Sequence, residues 1–325
     1  MTTHFDVTGI GNAIVDVLSF TGEEALAVHG LVKGSMTLVG EARSNALYTK
    51  MGQATECSGG SVANSLAGLA SLGAQTAFIG KVRNDTLGGI FTHDMRAVGV
   101  HFASIPAIDG PSTANCLVYV TPDAQRTMAT YIGACSNVSE ADIDEDIIAR
   151  SAITYIEGYL WDTENAKAAI RKAMQTARQA GRKIAFTLSD TFCVDRHRAA
   201  FLQMIKRDVD MLFANESEAK SLFQTDDMKK ALDELRGLCP IATVTRGEEG
   251  SIVLTTQTTE VIPTTKLLNI VDTTGAGDLY ASGFLYGLTR GWDLVSCATL
   301  GNRCAGEIIQ QLGARSHKKL AQLVA

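Results

Sequence analysis

The chain has 325 residues, of which 46% are hydrophobic and 20% charged, with only 5 prolines. That composition can bury a large core and excludes the disordered class. The net charge of −6 argues against a nucleic-acid surface, since the nearest basic candidate, Lys229-Lys230, is short and mixed with acids. The 7 cysteines (Cys57, Cys116, Cys135, Cys193, Cys239, Cys297 and Cys304) are odd in number and have no C-x-x-C spacing. Buried reduced thiols are expected from such usage, rather than a disulfide framework or a zinc site.

The first residues, Met1 to Asp6, lack the basic and apolar regions of a signal peptide. The uncharged stretch Cys57–Gly80 is too polar to span a membrane. A cytoplasmic protein with no membrane partner is therefore expected. Val7–Ile10 reads as a strand and runs into Gly9-Ile10-Gly11-Asn12-Ala13-Ile14-Val15-Asp16. This begins like a dinucleotide fingerprint, but Ile14 stands where the third glycine belongs. Residues 12–45 read as extended segments with turns, with Ser35–Val39 as a strand. Val62–Leu72 is a helix by the spacing of Val62, Leu66 and Leu69, followed by the strand Ala77–Ile79. A second extended region, 104–132, holds the strands Thr113–Val120 and Thr127–Tyr131 around a turn at Thr121-Pro122-Asp123-Ala124. The two extended regions are expected to meet as one small sheet, a lid over the mouth of a larger one within a single domain of residues 1–325. Beyond them the strands Ile153–Ile156, Ile184–Leu188, Met211–Phe213 and Ile241–Val244 alternate with the helices Glu164–Ala180 and Met228–Leu238. Such alternation predicts an α/β fold, with helices on both faces of a mainly parallel sheet. From Thr274 onward the pattern is helical, with a break at Gly291-Trp292-Asp293.

Chemistry concentrates in Asp272-Thr273-Thr274-Gly275-Ala276-Gly277-Asp278. Gly275 and Gly277 allow backbone to approach a ligand closely. The free amides at the start of the following helix, with its dipole, make an anion site. A bare anion cradle has no use for a carboxylate one step into that helix. Phosphoryl transfer does, because the acceptor hydroxyl loses its proton as the phosphoryl arrives. The bland alternative is a glycine-rich turn capped by Thr and Asp. There is no Walker A sequence, and Gly80-Lys81-Val82 is the nearest failed fragment. In Gly59-Gly60-Ser61-Val62-Ala63-Asn64, paired glycines open a helix and Asn64 can bond a polyol. A tight loop with a close helix–sheet contact would look the same. Asn12 and Asp16 are short polar residues in an apolar setting, suited to sugar hydroxyls. Asn215-Glu216-Ser217-Glu218 alone would read as a helix cap with acids in its first turn.

Gly59–Ala67 with Gly73, and Asp272–Phe284, resemble the two signatures of the ribokinase-type (PfkB) carbohydrate kinases. The resemblance runs from Gly9 to about Gly313. Gly11–Asp16, Ser112–Cys116 and Thr187–Phe192 are most similar to the adenosine-kinase branch. The resemblance implies a ribokinase-like three-layer α/β/α fold with a small β lid. It implies Asp278 as the base, with the amides of Gly275, Ala276 and Gly277 holding developing charge. It implies ATP contacts at Thr245, Gly247, Gly250, Thr274 and Asn302, and a Mg²⁺ water shell organised by Asn215 and Glu218. K⁺ is a further candidate cofactor. On the acceptor side it implies Asn12, Asp16, Gly59, Gly60 and Asn64, with Cys116, Ile132 and Phe192 lining space for a base; core packing is the alternative for Phe192. Arg126 and Arg246 each have two readings, a phosphate contact or a surface residue. The expected activity is transfer to the 5′-hydroxyl of a nucleoside, adenosine giving AMP, with a free sugar (ribose, fructose or a keto-sugar) as the alternative acceptor. Monomer and homodimer both stay open. A non-catalytic sensor on the same fold is disfavoured by the intact Asp278, Asn215 and Glu218, and a dehydrogenase by the missing third glycine.

Overall fold

The computed structural model describes residues 4–324 apart from positions 124 and 268, so Ala124 of the expected turn lies outside the described residues. The strands are β1 (Phe5–Ile10), β2 (Ile14–Phe20), β3 (Met36–Leu38), β4 (Ala54–Gly59), β5 (Thr76–Ile79), β6 (Val100–Phe102), β7 (Ala114–Val120), β8 (Arg126–Tyr131), β9 (Ser151–Glu157), β10 (Lys183–Thr187), β11 (Met211–Asn215), β12 (Ile241–Thr245), β13 (Ser251–Thr255) and β14 (Thr259–Ile262). They form a nine-stranded sheet in the order β14-β13-β12-β11-β10-β9-β1-β5-β6 and a five-stranded sheet in the order β3-β8-β7-β2-β4.

In the large sheet every pair from β6 to β12 is parallel, and β13 and β14 extend it antiparallel. Successive residues of a strand point to opposite faces, and the core divides accordingly. Val7 and Tyr155 pack with Val62, Leu66 and Phe284 on one face. Ile10 and Ile156 pack with Ile170, Phe201 and Leu235 on the other. The first face carries the helices Ser61–Leu72, Ala276–Thr289 and Leu294–Ile308, and the second carries Glu164–Gln179, Thr191–Asp208, Glu216–Leu222 and Met228–Leu235. The result is three layers, with central strands that read as continuous apolar runs because both faces are covered.

The small sheet takes β2 and β3 from the first extended region and β7 and β8 from the second. It also takes β4, beyond the expected boundary at residue 45. Two helices, Glu23–Val28 and Glu41–Tyr48, stand where extended segments with turns were expected. Each buries only one or two residues (Leu26 in the first, Ser44 and Leu47 in the second) and so leaves little periodic signal. The hairpin β13–β14 is likewise absent from the sequence reading. Its strands follow one another without a helix, outside the alternating pattern.

Parallel register aligns the carboxyl ends of the strands. Ile10 stands beside Ile156, Glu157 beside Thr187, Thr187 beside Phe213, and Asn215 beside Thr245. Loops leaving these ends therefore share one edge of the sheet, where α/β folds form their ligand crevices.

Candidate active site

Most long helices begin with a side-chain cap: Thr163, Asp190, Asp227 and Asp293 each accept from a backbone N–H of the first turn. The helices Ser61–Leu72 and Ala276–Thr289 begin instead at Gly60 and Gly275, without a side-chain cap. Gly275 is left-handed at φ 78°, and a Cβ there would lie 2.7 Å from the Cβ of Ala314. The Ala276 N–H turns back to the Thr273 carbonyl at 3.3 Å, whereas a side chain added at Gly277 would enter open space. Gly60 has φ 94°, and a Cβ there would lie 2.3 Å from the Asn12 carbonyl oxygen. Both glycines are thus required by conformation and by space.

These two helix starts meet at Asp278. Ser61 Oγ donates to its Oδ1 at 2.6 Å, and Asn64 Nδ2 donates to its Oδ2 at 3.0 Å. Burial raises the Asp278 pKa, opposed by those two hydrogen bonds and by the charge of Arg315. Asn64 Oδ1 is buried and has no hydrogen-bond partner. Such an atom costs free energy unless something donates to it. The carboxylate of Asp16 lies so close to Gly59 that a Cβ there would sit 2.5 Å from Oδ2. Asp16 lies between Cys57 of β4 and Cys116 of β7 in register. Burial pushes its pKa up to about 6, with Arg126 and Arg315 pulling down and Asp278 and Asp272 pushing up. Asn12, Asp16, Gly59, Gly60, Asn64 and Asp278 are therefore one constellation.

Sequence reasoning missed Glu157. At the end of β9 and 0% exposed, it accepts from the Asn12 N–H (2.8 Å) and the Val62 N–H (3.0 Å). It ties the two acceptor-side loops together, and burial pushes its pKa up to about 7 against those amide bonds. A carboxylate closing an otherwise apolar buried strand, Ile153-Thr154-Tyr155-Ile156-Glu157, is the signal that could have found it.

Beside Asp278 opens a cleft of about 440 Å³, walled by Ala276, Gly277, Asn215, Glu218, Thr245, Gly247, Gly250 and Asn302 among others. Asn215 and Glu218 form a reciprocal capping box: Glu218 Oε2 accepts from the Asn215 N–H at 3.0 Å, and Asn215 Oδ1 accepts from the Glu218 N–H at 2.8 Å, while Glu218 Oε1 accepts from Asn215 Nδ2 at 2.6 Å. The helix cap that the sequence allowed is thus present, and it borders the cleft as well. Burial pushes the Glu218 pKa to about 7, the Asn215 backbone bond lowering it and Asp190 and Asp278 raising it. Asn302 Nδ2 donates to the Ile262 carbonyl at 3.1 Å, fixing the end of β14.

Other expected residues sit elsewhere. Thr274 is not among the cleft-lining residues; its hydroxyl accepts from Arg126. Arg126, on β8, also pairs with Asp272 at 3.1 Å; the two side chains are 10% and 3% exposed, so the surface reading of Arg126 fails. Arg246 pairs with Glu216 and Glu249. Cys116 and Ile132 pack with Ile14 and Cys135 in a small apolar cluster. Phe192 is 67% exposed on the first turn of its helix, which rules out core packing. Among the described residues no group of three or more His, Cys, Asp or Glu side chains could hold a metal, and no helix is long and apolar enough to cross a membrane.

The family description "pfkB family carbohydrate kinase" matches residues 25–320. Among curated relatives, the 5-dehydro-2-deoxygluconokinase of Geobacillus thermodenitrificans is 28% identical over 268 residues, 78% of this chain and 79% of that protein. The adenosine kinase of Saccharomyces cerevisiae is 27% identical over 327 residues, 94% of each. Among solved structures, the adenosine kinase of Sinorhizobium meliloti is 47% identical with a TM-score of 0.92, covering 98% of both chains. A protein of Rhizobium etli described as a probable sugar kinase is 45% identical with a TM-score of 0.93, covering 99% of this chain and 98% of the other. The three-layer architecture is the ribokinase-like α/β fold of these neighbours. Kinases of this family use ATP and a divalent metal. With that fold, the Asp278 constellation and a match over residues 25–320, the chain belongs to the pfkB family of carbohydrate kinases, phosphotransferases that act on the hydroxyl of a sugar or nucleoside.

Proposed function

We propose that the protein is an ATP- and Mg²⁺-dependent nucleoside kinase that phosphorylates the 5′-hydroxyl of adenosine. The observation that carries the kinase chemistry is the placement of Asp278 between the 440 Å³ cleft and the acceptor-side loops, held by Ser61 and Asn64. ATP enters the cleft with its phosphates toward the start of the helix Ala276–Thr289 and its other end toward Thr245, Gly250 and Asn302. The acceptor lies against Asp16 and Asn64, whose unpartnered Oδ1 accepts from a ligand hydroxyl. Asp278 takes the proton of the attacking hydroxyl, and the amide of Gly277 faces the charge that builds on the transferred phosphoryl.

The carboxylate of Glu218 and the amide of Asn215 are hard oxygen donors at the cleft wall, yet each is already bonded to the other. They suit a Mg²⁺ that keeps its waters rather than one enclosed by protein ligands. Bound with ATP, Mg²⁺ supplies neutralisation of phosphate charge. The small sheet acts as the lid, built from residues 14–59 and 114–131. Arg126 links it to the Asp272–Thr274 loop, and closure excludes water from the transfer.

Adenosine is favoured by the 47% identity to the S. meliloti adenosine kinase and by the 94% coverage shared with the yeast enzyme. Phe192 is free of the core and available to stack on a base. A free-sugar acceptor is the second reading, favoured by the similarity to the 5-dehydro-2-deoxygluconokinase. The test is ADP release with MgATP and, in turn, adenosine, inosine, guanosine, ribose, fructose and a keto-sugar acid. Adenosine should give the highest kcat/KM. A free sugar that surpasses every nucleoside overturns the acceptor but leaves the kinase.

A further inference from the structure

Three consecutive residues, Gly313, Ala314 and Arg315, pass between the two glycine loops of the site. The Gly313 N–H donates to Asp272 Oδ2 at 2.8 Å, and Ala314 fills the space against Gly275. Arg315 reaches the other way. Its Nε donates to the Ser58 carbonyl at 2.8 Å, its Nη1 to the Ala63 carbonyl at 2.8 Å, and its Nη2 to Ser58 Oγ at 2.8 Å and Met95 Sδ at 3.4 Å. Ser58 and Ala63 flank Gly59-Gly60-Ser61-Val62, so the guanidinium grips both ends of the loop that presents Ser61 and Asn64 to Asp278. Ser58 is fixed in turn by Asp94, whose Oδ2 accepts from its N–H (2.7 Å) and its hydroxyl (2.6 Å).

All four contacts of Arg315 are to uncharged acceptors. Its charge is therefore not cancelled by any of them. The groups that face it are Asp94, Cys57, Asp16 and Asp278, and Arg126 is the second cation near Asp16, with Asp272 opposing. Burial pulls the guanidinium's own pKa down and those four groups pull it up, but an arginine stays protonated at any working pH. Its field lowers the proton affinity of both Asp16 and Asp278, against the burial that raises them.

We propose that Arg315 is a positioning residue for the transfer: with Gly313 and Ala314 it locks the acceptor loop onto the phosphate loop and so holds Ser61 and Asn64 against Asp278. The proposal rests on the reading of Asp278 as the base and Asn64 as an acceptor contact.

The experiment is steady-state kinetics of Arg315→Gln and Arg315→Lys, with both substrates varied and Asp278→Asn as control. Arg315→Gln should raise the acceptor KM about tenfold while leaving the ATP KM within about twofold. Arg315→Lys keeps the charge but loses the fork, so its acceptor KM should rise as well. A merely structural residue would lower stability and raise both KM values together. An acceptor KM at the wild-type value in either folded variant, or an ATP KM that rises as far as the acceptor KM, overturns the clamp. Should Arg315→Gln fail to fold, Arg315→Lys decides. Wild-type turnover in Asp278→Asn would instead sink the base reading, whatever the Arg315 variants do.

Discussion

Asp278 accepts both of its hydrogen bonds from the helix Ser61–Leu72. Asn at that position keeps the shape and the Ser61 bond but cannot take a proton. Asp278→Asn should therefore retain the thermal midpoint of the wild type and lose about 10²–10⁴ in kcat, read as ADP release. Glu157 acts differently. Its folded pKa of about 7 lies above its ordinary 4.5, so the folded state holds its proton more tightly than the unfolded one. The stability this contributes is present in full below 4.5 and is lost as pH rises through about 7. Glu218, also raised to about 7, adds to the same slope. In Glu157→Gln the fall in thermal midpoint across that window should be shallower, because one titrating group is gone while Glu218 and Asp16, the latter raised to about 6, remain; an unchanged slope would place the titration elsewhere. The meeting of Asp278 and Asn64 could be anticipated because each lies in the first turn of a helix opened by glycine, Gly275 for one and Gly60 for the other. Glu157 and Arg315 could not be, because their partners are distant in sequence: Val62 lies 95 positions from Glu157, and Ser58 lies 257 from Arg315. No local pattern records such a contact.

Two elements bear directly on the site: the loop of Gly59 and Gly60, and the link from β8 to Asp272. Gly60→Ala places a methyl group 2.3 Å from the Asn12 carbonyl, at φ 94°. The backbone term alone is worth about 1–3 kcal/mol. The urea midpoint should fall, and the acceptor KM should rise more than the ATP KM, because Asn12 and Asn64 are displaced together. Arg126→Met leaves Asp272 buried at 3% exposure without its cation. Breaking such a pair costs about 3–5 kcal/mol, more than replacing both partners. A double-mutant cycle with Asp272→Asn should show that recovery; a loss in the double variant equal to the sum of the two single losses would mean the pair is not coupled. In the large sheet β5, β9, β10, β11 and β12 could be read because each follows a helix, whereas β6, only three residues long, was not read. The short helices of the small sheet and the hairpin β13–β14 could not, since neither the alternation nor a strong apolar stripe marks them.

At the scale of the whole molecule, the two core layers are separated by the sheet. The layer holding Ile170, Phe201 and Leu235 carries none of the residues that bond Asp278, and it meets the cleft through the helix Glu216–Leu222. Phe201→Ala there should destabilise by about 3–5 kcal/mol and leave both KM values unchanged, as denaturant unfolding and kinetics on one preparation would show. The layer under Asp278 instead includes Val62, the residue whose amide bonds Glu157, so changes there reach the site.

The junction at Asp278 also bears on how this kinase can change its substrate. Asp278, the proposed base, is seated by the same helix turn that carries Asn64, the proposed acceptor contact. A substitution made on that turn to admit a different alcohol alters the proton affinity of the base in the same stroke. Positions on β7 are freer. Cys116 borders Asp16 in register but makes no hydrogen bond to Asp278, its one side-chain partner being Thr130. Divergence of acceptor preference, in nature or in the laboratory, should therefore begin on the strands of the small sheet and reach the glycine loop last.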